Sequence, residues 1–164
     1  MESIIKISTT PPTFNAKWIS EGIDENCVNY LENMGFYLCD RKSLPNPTLQ
    51  YDSLGGDAVT TSQLRNVFEE VKRVQLIVEQ SNSKDIPSNI LSDILLLRPK
   101  IAYNAARIKA KRSASRIDAF RKFAETALLE VTKNDDKDKR EKYKRFCQLM
   151  EGIIAYHKVY GGKD

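Results

Sequence analysis

A chain of 164 residues, 41% of them hydrophobic, has the size and composition of one domain that buries a core without metals or disulfides. Its net charge of +4 is local, because residues 94–117 carry seven basic side chains and no acid, while the other 19 basic and 22 acidic residues leave −3. No stretch approaches the roughly 20 apolar residues of a membrane span, and the first 14 residues lack a secretory apolar core, which predicts a cytoplasmic protein without a membrane partner.

The beginning of the chain is the least regular part. Residues 1–14 are expected to form a short strand or an arm, because Thr-Thr-Pro-Pro at 9–12 blocks a helix. A first helix is predicted from Ile23, with Asp24 or Glu25 at its N-terminus and an end near Gly35. Its apolar side chains are Cys27, Val28, Leu31 and Met34. Residues 41–58, which are rich in Pro and Gly, are predicted to be a loop.

Two longer helices are predicted next. Thr or Ser at 60–62 can cap a helix that continues to about residue 80. Its apolar stripe comprises Leu64, Val67, Phe68, Val71, Val74 and Val78. Pro87 and Ser88 begin the second helix, and Pro99 predicts a kink or short break in it. The apolar side chains on the two sides of Pro99 are Ile90, Leu91, Ile94, Leu95 and Leu97, then Ile101, Ala105 and Ile108.

The last third of the chain predicts two further helices separated by a polar turn at 133–139. Ser115 followed by Asp118 has the spacing of a capping box. The final helix is predicted to end at Gly161 and Gly162. With about five helices and no internal repeat, the fold class is all-α, a small helical bundle. Residues 58–164 are predicted to be its core, and residues 1–57 an N-terminal extension with one amphipathic helix.

Few residues suggest catalysis, metal binding or a cofactor. His157 is ten residues from Cys147 on one predicted helix, about 15 Å along the axis, so the two cannot act as a nucleophile and base. We expect His157 on an apolar face. Asp135, Asp136 and Asp138 lack the Gly and Glu of a calcium loop and are interpreted as a solvated turn. The spacing of the acidic residues does not exclude catalysis by a pair of carboxylates, but we predict that the protein is not an enzyme.

The three cysteines also bear on the compartment. Cys27, Cys39 and Cys147 are an odd number, and none belongs to a C-x-x-C pair. This pattern is typical of a reducing compartment, where thiols act as small apolar groups.

The basic stretch is the strongest functional signal. On a helix, Lys100, Asn104, Arg107 and Lys111 project from one side. Arg107 and Lys111 stand four residues apart as like charges, which costs a few tenths of a kcal/mol. Such a ridge suits a phosphate backbone, since Arg offers a planar fork of donors and Lys a mobile charge. The alternative is a solvated face paired with acids from other helices.

Other side chains could extend this surface. Tyr103 could stack on a base, although packing between helices is the commoner role of such a residue. Arg65 could join the surface, although Glu69 four residues later is a local partner. The basic residues of 139–145 are mixed with acids and are interpreted as ordinary surface charge.

Three stretches resemble one family. TTSQLRNVFEEVKRV (60–74), LRPKIAYNAAR (97–107) and AYHKVYGGKD (155–164) together resemble the small subunit of the type III-A CRISPR effector, the Csm complex. The resemblance covers about residues 58–164. It implies a helical bundle that stacks with further copies of itself, contacts guide or target RNA and the backbone and large subunits, and does not cut RNA.

The resemblance and the charge pattern together select candidate RNA-binding residues. The resemblance places Arg65, Lys100 and Arg107 on the RNA-facing surface, whereas Lys109, Lys111 and Arg112 follow from charge alone. The first 57 residues are longer than the family predicts, and could add a helix, mediate dimerisation or bind a neighbouring subunit. The function predicted is a non-catalytic RNA-binding scaffold in antiviral defence, and the alternative is a helical module that binds duplex DNA or an acidic protein.

Overall fold

The structure is a computed structural model that describes residues 10–41, 56–81, 85–111, 115–133 and 138–162. Within those ranges every regular element is an α-helix, which confirms the all-α prediction. In chain order the helices are α1 (Lys17–Ser20), α2 (Glu25–Leu38), α3 (Thr61–Gln80), α4 (Ser88–Lys111), α5 (Ile117–Thr132) and α6 (Lys139–Val159). The expected strand or arm and the loops at 41–58 and 133–139 lie largely outside the described residues.

Helices α3 to α6 enclose one hydrophobic core. Helix α3 packs on α4 and α6, and α5 packs on the same two helices, so each of the four has two neighbours in the group. The buried apolar side chains of all four helices face inward, but Leu95, which was predicted on the apolar side of α4, is 43% exposed. Aromatic side chains of α5 and α6 meet at the centre. Those aromatic residues are Phe120, Phe123, Tyr143 and Phe146. The Tyr143 hydroxyl donates to the Val71 carbonyl at 2.7 Å, which joins α6 to α3.

The N-terminal helices cover one side of this group. Helix α2 packs along α6, and the four-residue α1, which the apolar pattern did not predict, contacts α5 and α6. Trp18 and Tyr30 are buried in the same core as the later helices. The Asp24 carboxylate caps α2 by accepting from the Cys27 amide at 2.8 Å, as predicted.

Helix α2 extends past its predicted end at Gly35 and stops at Leu38. Gly35 lies where α2 crosses α6. A Cβ atom there would be 2.6 Å from the Tyr156 Cβ and 2.7 Å from the His157 amide nitrogen. The glycine therefore allows two backbones to approach closely, which is a different use from ending a helix.

Helix α4 continues through Pro99, so of the predicted kink or short break the break does not occur. Proline has no amide hydrogen, so the carbonyl of Leu95 lacks its usual helical donor four residues later. Pro99 and Leu95 are both exposed, so this carbonyl lies on the solvent side of the helix. Ile94, Leu97 and Ile101 are all buried and hold the helix to the core on both sides of the proline. Packing thus outweighs the local preference of the proline.

Helix termini are satisfied in part by predicted and in part by unpredicted groups. Thr60 and Gln63 form a full capping box at the start of α3. Ser115 does not cap α5 with its side chain, and the prediction of a second capping box is wrong. Arg140 donates to the carbonyls of Val78 and Ser81 at the end of α3, so it is a structural residue and not ordinary surface charge.

The end of α6 and the cysteines follow the predictions. Gly161 adopts a φ of +82°, and the amide of Gly162 donates to the His157 carbonyl at 2.8 Å, which ends the helix. All three cysteines are buried free thiols, and burial raises the pKa of each to about 12. Among the described helices, none combines the length and apolar character needed to cross a membrane.

Candidate nucleic-acid interface

Among the described residues, three cations of residues 94–117 form ion pairs with acids from other parts of the chain, as the alternative interpretation of the basic stretch expected. The Lys100 Nζ lies 3.3 Å from the Glu70 Oε2, and the Lys109 Nζ lies 2.7 Å from the Asp118 Oδ2. A third pair joins Arg116 to the Asp40 carboxylate at 3.0 Å.

The pKa of the Glu70 carboxyl is lowered by its basic neighbours. Desolvation raises the pKa of its carboxyl, but the hydrogen bonds and charges of Lys100 and Arg73 outweigh that effect and lower the pKa overall. The Lys100 side chain is nevertheless 44% exposed, so the pair lies in water and contributes little to stability. A phosphate could replace Glu70 as the partner of Lys100 at small energetic cost.

Arg116 has a structural role. Besides its pair with Asp40, it donates to the Tyr37 carbonyl at 2.9 Å, and its guanidinium lies 4.2 Å from the centre of the Tyr37 ring. Its side chain is only 15% exposed. These contacts join the start of α5 to the end of α2, so Arg116 is not part of a ligand surface.

Arg107 differs from these three residues. Among the residues that the structure describes, no carboxylate lies within 4.0 Å of its guanidinium. Its close neighbour is the Tyr103 ring, whose centre lies 5.8 Å from the guanidinium carbon. The side chain is exposed, which leaves its fork of donors open to a ligand.

Arg107 lines a shallow groove between α3 and α4, with a volume of about 130 Å³. The groove, called here the α3–α4 groove, is lined by Gln63, Asn66, Asn104, Arg107 and Ile108. Three of these five residues carry side-chain amides, and one carries a guanidinium. Amide and guanidinium donors suit phosphate and ribose oxygens, and the buried Ile108 forms the apolar floor.

The structure brings only part of the predicted site together. Arg107 lines the groove, and Lys100 lies on the same side of α4. Arg65 is exposed on α3 but does not line the groove, since its direction is about 200° from that of Gln63 on the helix. The expected ion pair between Arg65 and Glu69 is not among those that the described residues form.

The other predicted cations are dispersed. Lys109 points to the α5 side of α4, where it meets Asp118, about 160° from Arg107. Lys111 is the last residue of α4. Arg112 lies outside the described residues.

The polar residues that α3 contributes were missed by sequence reasoning. Gln63 is used in the capping box, where its Oε1 accepts from the Thr60 amide at 2.9 Å. Asn66 has no charge and belongs to no motif. Only the antiparallel packing of α3 on α4 places these amides opposite Asn104, so no local pattern could have identified them.

Groups with catalytic potential lie away from the groove. His157 is fully buried, as predicted, and its Nε2 lies 2.7 Å from the Val59 carbonyl oxygen. Desolvation lowers the pKa of His157, and the bond to Val59 only partly opposes this effect. Within the described part of the chain, no three His, Cys, Asp or Glu side chains are grouped so that they could hold a metal ion.

Comparison with known proteins decides the family. The sequence model described as Csm2 Type III-A matches residues 51–163, which include α3 to α6. The chain belongs to the Csm2 type III-A family. The resemblance to the small subunit of the type III-A CRISPR effector is thereby confirmed. Helices α1 and α2 precede the matched region.

Two curated Csm2 proteins are similar to the chain. The CRISPR system Cms protein Csm2 of Streptococcus thermophilus is 33% identical over 116 residues, which cover 71% of this chain and 84% of that protein. The protein of the same name from Enterococcus italicus is 27% identical over 104 residues, covering 63% of this chain and 69% of the relative. All residues of the α3–α4 groove belong to the part that matches the Csm2 family.

Proposed function

We propose that this Csm2-family chain is a non-catalytic scaffold subunit that binds the guide and target RNA of a type III-A CRISPR complex in antiviral defence. The observation that carries the proposal is Arg107. Its exposed guanidinium has no acidic partner among the described residues and lines a groove with three side-chain amides. A phosphate in the groove would supply the missing negative charge.

The arrangement favours binding of the RNA backbone over reading of base sequence. Arg107 would contact a phosphate directly, and Lys100 would exchange Glu70 for a second phosphate. Lys111, four residues after Arg107 in the sequence, is proposed as a third contact. Contacts of this kind position an RNA strand without specifying its sequence. Arg65, Lys109 and Arg112 are proposed as secondary contacts with other parts of the same polymer.

The placement of the histidine and of the three cysteines supports a non-catalytic role. A general base for RNA cleavage must reach the 2′-hydroxyl group of the substrate. His157 and the three thiols are enclosed in the core and cannot reach a strand lying in the α3–α4 groove.

Other Csm subunits, including backbone and large subunits, and further copies of this chain are proposed as protein partners. Residues 58–164 are proposed to carry the RNA-facing bundle, with residues 1–57 as an extension. The described helices of that extension lie on the α5 and α6 side, which leaves the α3–α4 groove open. Their position is compatible with a contact to a neighbouring subunit at the same time as RNA binding.

The test compares two arginine reversals on one helix. Arg98 and Arg107 are both exposed, neither has an acidic partner among the described residues, and they point about 180° apart. Arg107→Glu should weaken binding of single-stranded RNA to the full chain, and adding Lys111→Glu should abolish it. Arg98→Glu is the matched control with an equal charge change and should retain most of the affinity. Circular dichroism and the unfolding midpoint should stay near the wild-type values.

Salt dependence measures the number of phosphates involved. If the full chain neutralises about three, the logarithm of affinity should fall with the logarithm of salt concentration at a slope near −2 for a single strand. Arg107→Glu should reduce that slope by about 0.7. A slope of zero would refute the proposal. Binding of duplex DNA or of an acidic protein that single-stranded RNA does not displace would favour those ligands instead.

A further inference from the structure

Tyr103 is the most exposed of the large hydrophobic residues in the described parts of the chain, with 63% of its surface accessible. A tyrosine that packed between helices would be largely covered. The structure therefore excludes the commoner role expected from the sequence, and the exposed ring requires another explanation.

The surroundings of Tyr103 extend its apolar surface. Leu96 and Pro99 precede it at helical spacing on the outer side of α4, and both are exposed. Ala106 and Ala110 follow on the same side and are also exposed. The small residues leave room for a flat group to approach the helix next to the ring.

Arg107 connects this apolar surface to the α3–α4 groove. Its guanidinium lies 5.8 Å from the centre of the Tyr103 ring, and the same side chain lines the groove. A phosphate bound by Arg107 would thus lie one helical turn from an exposed aromatic face. This pairing of a cation with a stacking surface is the arrangement by which proteins bind single strands.

We propose that Tyr103 and Arg107 together hold one unpaired RNA base, stacked on the Tyr103 ring while Arg107 binds the adjoining phosphate. The inference rests on the proposed RNA-binding function and adds the class of ligand. A base can stack on a side chain only when it is free of its own helix, so the site selects single-stranded or locally unpaired RNA over a regular duplex.

The test uses three forms of the full chain: wild type, Tyr103→Phe and Tyr103→Leu. Phenylalanine keeps the aromatic face, whereas leucine keeps apolar area and helix propensity without it. Tyr103→Phe should bind a single-stranded RNA within about two-fold of wild type, and Tyr103→Leu at least about five-fold more weakly. The salt slope should be equal in all three forms, because the phosphate contacts are unchanged.

An RNA that contains abasic positions provides the matched ligand. The affinity of wild type should fall between intact and abasic RNA by about the same factor as the affinity for intact RNA falls between wild type and Tyr103→Leu. For Tyr103→Leu, the affinities for intact and abasic RNA should be nearly equal. Equal loss in both proteins would show that the missing bases act elsewhere and would overturn the stacking proposal. Equal affinity of wild type for a regular duplex and a single strand would also overturn it.

The outcomes separate this inference from the proposed function. If Tyr103→Leu binds RNA like wild type while Arg107→Glu does not, the stacking proposal fails and the phosphate site remains. If neither substitution affects RNA binding, both proposals fail. If Tyr103→Leu retains RNA binding but no longer assembles with other Csm subunits, the apolar surface is a protein contact and the stacking proposal is wrong.

Discussion

Replacing Gly35 by alanine should destabilise the protein, because the new methyl group would enter a close contact between the backbones of α2 and α6. It would lie 2.6 Å from the Tyr156 Cβ, 2.7 Å from the His157 amide nitrogen and 2.8 Å from the Tyr156 carbonyl carbon. Two of these atoms belong to the backbone and the third is attached to it directly. Rotation of a side chain therefore cannot relieve the overlap, and the helices must separate.

The magnitude follows from two opposing effects. Overpacking of this kind costs about 3 kcal/mol, at the upper end of the usual range, because backbone must move. The higher helix propensity of alanine relative to glycine stabilises the variant by about 1 kcal/mol. The net loss of about 2 kcal/mol should lower the thermal midpoint by about 4–8 °C in a chain of this length.

Gly152→Ala is the matched control, since Gly152 lies on α6 in the same interface. The three atoms nearest to a Cβ there all belong to the Leu31 side chain, whose Cδ1 atom is 2.7 Å away and can move by rotation of the side chain. Its thermal midpoint should remain within a few degrees of wild type. Calorimetry of both variants checks the comparison, and a Gly35→Ala variant as stable as Gly152→Ala would refute the explanation of why α2 contains a glycine.

Two further predictions concern charge. Arg116→Ala should lower the free energy of unfolding by about 2 kcal/mol, because the Tyr37 carbonyl loses its guanidinium donor and the Asp40 carboxylate loses its ion pair while keeping the Asp57 amide. Lys109→Ala, which removes an exposed pair, should cost less than about 1 kcal/mol, and denaturant titrations that rank the two in the opposite order would contradict the assigned roles. His157 is less basic when folded than its ordinary pKa of 6.5, so the unfolded chain binds the extra proton. The contribution of His157 to the free energy of unfolding is therefore constant above pH 6.5 and decreases as the pH falls below that value. In His157→Gln, the thermal midpoint should depend less on pH below 6.5 than in wild type. An unchanged dependence would exclude His157 as its source.

Local sequence determined the secondary structure of the described helices because the relevant forces act over a few residues. The buried stripe of α3, from Leu64 to Val78, follows from apolar spacing alone, and so does the core position of His157. Thr60 and Gln63 cap α3 through contacts three residues apart. The concentration of positive charge and the resemblance to the Csm2 family were also evident from the amino-acid sequence.

Where the local sequence predicted the wrong structure, tertiary contacts outweighed the local preferences. Gly35 and Pro99 each indicated an interruption, but both lie within helices that are held by packing along their length. The same reason explains the unpredicted acids. Lys100 pairs with Glu70, which is 30 positions away in the sequence, and Arg116 pairs with Asp40, which follows the end of α2.

The candidate site shows this division most clearly. Sequence alone determined that α4 is strongly basic, but not which of its cations are available to a ligand. Availability depends on which side chains face each other when helices pack, and that register is set by the core as a whole. Only the tertiary structure therefore paired Lys100, Lys109 and Arg116 with acids, left Arg107 beside an exposed Tyr103, and placed the amides of α3 across the groove from it.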